Sequence, residues 1–140
     1  MKENKDLVES MCKGCSMSVE VLNDILKKID SNINSDIKII KDDYNNFLLE
    51  AEDILKNKDS EIKGLNLFEK ISTGIMMDLK LIEYSEKKIA ELVIKGINMG
   101  LKETEKILSL NDISAEYSEL ANKYINMQNK SKDRLIKYIK

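Results

Sequence analysis

Apolar residues recur in alternating steps of four and three along most of this chain, and that spacing leaves few folds open. One run passes through Val8, Cys12, Cys15, Val19, Leu22, Leu26 and Ile29. Such steps place all seven on a single stripe of a helix. It is the a/d seam by which helices pack against one another. A second run follows through Ile33, Ile37, Ile40, Tyr44, Phe47, Ala51 and Ile54, and a late one through Ile113, Tyr117, Leu120, Tyr124, Met127, Ser131, Leu135 and Tyr138. The spacing predicts a first helix over residues 6–29. A second helix is capped by Asn34 or Ser35 and ends near residues 56–58. A fourth is capped by Asp112 or Ser114. The tyrosines are expected half-buried, with their hydroxyls at the bundle edge.

Between the second and the last of these helices lies the most apolar run of the chain, residues 89–101. Gly96 and Gly100 stand four apart in it. Each costs roughly 1 kcal/mol in a helix interior relative to alanine. That penalty suggests a packing role, and we expect the pair to form a close-contact strip, within the bundle or across a dimer interface. The run is too short, and too interrupted by Lys88, Glu91, Lys95 and Lys102, to cross a membrane. Helical spacing in fact extends from Leu67 almost to Leu110, far longer than the other helices. A break is therefore expected near Gly74 or around residues 83–86. It would leave an extra helical segment over residues 66–82 before the third helix proper.

Composition agrees with this architecture. In 140 residues there is no proline, no tryptophan and only five glycines, too few turn formers for a sandwich of short strands. The length suits one domain covering residues 1–140. The brief polar turns at Asp30-Ser31-Asn32 and Asn111-Asp112 imply antiparallel neighbours, hence an all-α, up-down-up-down four-helix bundle. Net charge is -2, which gives no general attraction for nucleic acid. The last eighteen residues hold six basic and one acidic residue, which complement the dipole of a helix C-terminus. The N-terminus opens onto no apolar signal core, so the expected location is the cytoplasm. The weight of Lys, Ile and Asn suggests an AT-rich bacterial genome.

Several chemistries are closed to this chain. It has no histidine, so imidazole acid–base catalysis, Ser–His or Cys–His nucleophiles and imidazole metal ligands are out. Its glycines match no phosphate-binding loop. Cys12-Lys13-Gly14-Cys15 is the one motif that invites chemistry, because paired thiols serve redox exchange or soft metals. Both cysteines also occupy the apolar seam, where small thiols pack as ordinary hydrophobes. A structural zinc or cluster site needs four ligands, and the chain supplies two thiolates. Carboxylates offer weaker metal candidates still. A di-iron bundle combines glutamates with Glu-x-x-His pairs. Here the histidines are missing, and Glu86 and Glu103 stand too far apart along their helix to share an ion. Cys12, Cys15 and Glu91 are the weak metal candidates, and no cofactor is expected.

The string running from Ser85 through Ile89-Ala90-Glu91, Ile94, Gly96, Met99 and Gly100 resembles a family of small uncharacterised bacterial proteins with a ferritin-like four-helix fold and unknown function. The resemblance extends in layout to Cys15-Ser16-Met17-Ser18-Val19 and to Ile75-Met76-Met77-Asp78-Leu79. Where such proteins often carry a histidine before Ile-Ala-Glu, this chain has Lys88. The resemblance implies a ferritin-like bundle and no particular activity. The leading expectation is a non-catalytic interaction or structural protein that self-associates, with itself or another helical protein as partner. The alternatives are a degenerate ferritin-like carboxylate metal binder, or a dithiol redox or metal-cluster protein using Cys12 and Cys15.

Overall fold

A computed structural model describes residues 2–58 and 85–140 of the chain, and those residues form four α-helices. They are α1 (Lys2–Lys28), α2 (Ile33–Lys58), α3 (Glu86–Leu110) and α4 (Ala115–Ile136). Three reach the bounds that the apolar spacing predicts to within a few residues. α1 starts earlier than residue 6, because Asn4 and Leu7 already face inward. α3 starts at Glu86, within the stretch of residues 83–86 where a break is expected. Ser85 is extended there, and its hydroxyl accepts from the Lys88 amide at 3.1 Å, a regular N-cap. The expected extra helix over residues 66–82, the alternative break at Gly74, and Tyr84 lie outside the described residues.

One stripe of each helix faces a common core. Leu7, Met11, Cys15, Leu22 and Ile25 enter from α1, and Ile33, Ile37, Ile40 and Tyr44 from α2. Ile89, Ala90 and Ile97 enter from α3, and Leu120, Ala121, Tyr124 and Leu135 from α4. The stripes are wider than the strict seams. Val19, Leu26, Ile54 and Met127 are only half-buried at their borders, while Met11, Ile25, Leu48 and Leu55 are buried beside them. A helix packed on two or three neighbours needs a broader apolar face than a two-stranded seam.

The contacts between helices fix their order and directions. α1 packs against α2, α3 and α4, and α4 packs also against α2 and α3. Going round the bundle the order is α1, α2, α4, α3, with α1 and α4 meeting across the middle. At one end, the Asn4 side chain donates to the Ser114 hydroxyl at 2.6 Å and accepts from the Ser114 amide at 3.2 Å. The N-termini of α1 and α4 therefore lie together. At the other end, the Glu86 carboxylate accepts from the Ser31 hydroxyl at 2.6 Å and from the Ile33 amide at 2.9 Å. The N-termini of α2 and α3 therefore lie together too. Tyr138, beyond α4, donates to Asp36 at the start of α2, while Lys123 early in α4 pairs with Glu50 late in α2.

α1 and α4 thus run one way, and α2 and α3 the other. The expected up-down-up-down order is corrected to up-down-down-up. The short turns do join antiparallel pairs, α1 with α2 and α3 with α4. The connection between the pairs does not: residues 59–84 join the C-terminal end of α2 to an α3 that starts at the opposite end of the bundle. The expected cap of α2 is corrected as well. Neither Asn34 nor Ser35 caps it from its own chain start. Its first amide is held by Glu86, more than fifty residues away. No described helix is long and apolar enough to cross a membrane.

Candidate functional site

Chemistry-bearing residues gather at mid-height, inside the bundle. Cys12 and Cys15 are three apart on α1, so both point inward, and both are buried and unpaired. Opposite them Tyr44 of α2 donates to Gln128 Oε1 at 2.6 Å. The amide nitrogen of Gln128 donates to the Tyr124 hydroxyl at 2.9 Å, with Thr104 of α3 alongside. Phe47 packs on the Tyr124 ring at 5.4 Å between centroids. Tyr44, Tyr117 and Tyr124 are therefore not at the bundle edge, as expected from sequence, whereas Tyr138 is half-buried as expected, with its hydroxyl on Asp36. Tyr44, Tyr117 and Tyr124 are almost wholly buried, and two hydroxyls meet one buried amide instead of water. A buried phenol without a partner is costly, so tyrosine and glutamine specify one another here.

The Tyr124 hydroxyl also explains two of the glycines. A Cβ at Gly100 would stand 2.5 Å from that oxygen and 3.3 Å from Gln128 Nε2. A Cβ at Gly14 would stand 3.3 Å from it on the other side. Tyr124 thus reaches from α4 into a slot between α1 and α3 that only missing side chains leave open. Gly96 differs: among the described residues a Cβ there would meet nothing within 4 Å. The two glycines do not form one strip within the chain, and what approaches Gly100 closely is a hydroxyl.

Electrostatics keeps this interior neutral. Burial pushes the Cys12 thiol up to about 12. Burial, and then the neighbouring Cys12, hold Cys15 well above the ordinary thiol range. Burial raises both Tyr44 and Tyr124 in the same way. A thiolate is the nucleophile and the metal ligand, and this environment opposes it. Cys12 and Cys15 also lie well inside α1, not at its N-terminus where free amides would favour a thiolate.

The third weak metal candidate is elsewhere. Glu91 is exposed on the outward face of α3, far from the thiols inside. Among the described residues no group of three or more Cys, Asp or Glu side chains converges as a metal site would require. Glu86 serves instead as the helix cap described above.

Glu91 lines a shallow open groove together with Ile94, Lys95, Asn98, Met99, Lys102 and Ile139. Ile94 and Ile139 are half-buried and form its floor, while Met99 is 66% exposed. α3 therefore has two apolar faces, one in the core and one outside. The apolar richness of residues 89–101 announced the first and contained the second. Tyr44, Tyr124 and Gln128 as a connected group had no signal in the sequence beyond seam positions filled by tyrosine. Comparison with family models, with curated proteins and with solved structures finds no match for this chain.

Proposed function

We propose that this protein is a non-catalytic, self-associating helical bundle of ferritin-like arrangement, acting as an interaction or structural component. The arrangement is supported by the neighbour order and by two helix hairpins joined through a single long connection, the layout that separates ferritin-like folds from simple up-and-down bundles. The observation that carries the interaction reading is the open groove on α3, where Met99 stands exposed over Ile94 and Ile139 between charged residues. Exposed apolar surface rimmed by polar groups marks places where other proteins bind. The unpaired thiols suit a reducing compartment, which supports action in the cytoplasm. A dithiol role would require the thiolates that burial disfavours.

Sedimentation velocity over a concentration series from micromolar to millimolar tests this reading. We expect a reversible rise in the average sedimentation coefficient with concentration. A single monomeric species throughout would overturn self-association.

A further inference from the structure

The groove on α3 carries charges of both signs, and their order along the helix says what fits it. We infer that a second copy of this chain occupies it, the two α3 helices crossing antiparallel about a two-fold axis between Gly96 and Ile97. The inference rests on the self-association reading and adds its partner face and register. A two-fold contact joins each position to its mirror position on the other copy. With that centre, Lys95 lies opposite Asn98 of the second copy. Glu91 lies opposite Lys102 of the second copy. The two Ile94 side chains then lie along one side of the seam and the two Met99 side chains along the other, and each Glu91 carboxylate meets an ammonium.

The register is chosen by charge. Moving the centre half a turn towards the C-terminus sets Lys95 against Lys102, and half a turn towards the N-terminus sets Lys87 against Lys102. At the preferred centre the next turn out brings Lys88 opposite Glu105, although Lys87 then meets Lys106. Like charges across an interface suppress wrong pairings, and opposite charges fix the right one. Glu91, Lys95, Asn98, Met99 and Lys102 are all exposed, so no rearrangement is needed to reach them. One helix face about three turns long is smaller than the roughly 1,600 Å² of a standard stable interface. The pairing is accordingly weak and salt-sensitive.

Two measurements on the full chain test it. First, the double variant Glu91→Cys with Lys102→Cys is oxidised in a glutathione buffer. Residues 91 and 102 stand about 16 Å apart along one helix, so they cannot bridge within a chain. We expect a disulfide-linked dimer on a non-reducing gel from the double variant and little from either single variant, with circular dichroism melts confirming that each is folded. Second, dissociation constants are measured by sedimentation equilibrium at low salt. Glu91→Lys and Lys102→Glu are each expected to weaken association roughly tenfold, and their combination to return it to within about threefold of the parent. Single-cysteine variants that cross-link as well as the double, or charge variants whose effects simply add, would overturn the register. A dimer indifferent to both tests would overturn this interface while leaving self-association standing. A monomer at every concentration would remove both.

Discussion

The hydroxyl of Tyr124 decides what stands opposite it at residue 100. In the sequence Gly96 and Gly100 look equivalent, four apart on one helix. The structure sets a buried phenol 2.5 Å from the Cβ position of one and, among the described residues, nothing within 4 Å of the other. Overpacking costs about 1–3 kcal/mol, against roughly 1 kcal/mol that alanine gains over glycine in a helix. We expect Gly100→Ala to lose about 1–2 kcal/mol and Gly96→Ala to gain up to about 1 kcal/mol in denaturant melts. Tyr124→Phe should make Gly100→Ala neutral or stabilising, since the ring carbon behind the hydroxyl is 3.7 Å from that Cβ. A Gly100→Ala penalty unchanged by Tyr124→Phe would contradict the contact. The cysteines follow the same logic. Their place in the seam was legible, while the polarity of their surroundings was not, because Tyr44, Gln128 and Thr104 come from three other helices. With Cys12 raised to about 12 and Cys15 raised as well, iodoacetamide at pH 8 should label native thiols more than about a hundredfold more slowly than denatured ones.

At the scale of helices, three-and-four spacing told where each element lies but not which way it points, since a stripe reads the same in both directions. Direction resides in the ends. Asn4, Glu86 and Asp36 are single polar residues whose partners are more than fifty positions distant, which no local pattern records. Glu86 does for α2 what an N-cap side chain does from within: it accepts from a first-turn amide and places negative charge at the positive end of the dipole. Glu86→Ala should therefore cost about 0.5–2 kcal/mol, with Glu86→Gln costing less. Faster hydrogen exchange at the Ile33 amide would locate the loss at the head of α2. If exchange there were unchanged, the cap would not be what holds α2.

For the whole molecule, titrating groups bound the pH range of stability on both sides. Burial alone would raise Asp36, but the Tyr138 hydroxyl, Lys137 and Arg134 outweigh it and hold the carboxyl below its ordinary 3.8. A depressed acid contributes stability above its unfolded value and loses it as pH falls through the folded one. On the alkaline side Cys12, Cys15, Tyr44 and Tyr124 are raised acids. Their contribution is whole below the unfolded values of 9.0 and 10.0 and is lost as pH climbs towards the folded ones. Melting temperatures should thus fall below about pH 4 and above about pH 9. Asp36→Asn should flatten the acid limb, and Cys12→Ala with Cys15→Ala should soften the alkaline one. An alkaline limb unaltered by the double alanine variant would mean that the thiols titrate normally. All-helical architecture was legible from the chain, because the apolar spacing needs no partner to be read. The reversal of α3 and α4 was not. It depends on how far the connection between the two hairpins travels.

That reversal has a consequence for how the chain comes together. Each hairpin is local, but α1 meets α4 across 110 positions of sequence. Contacts so distant form late and slow folding, because the loop must close before they contribute. During synthesis α1 and α2 emerge first, and about eighty residues must follow before α4 is complete. At 5–20 residues per second that takes about 4–16 s. For that interval Leu7, Met11, Cys15, Ile37 and Tyr44 lack the cover that α4 supplies. The first hairpin of this protein must wait for the second before its core is complete.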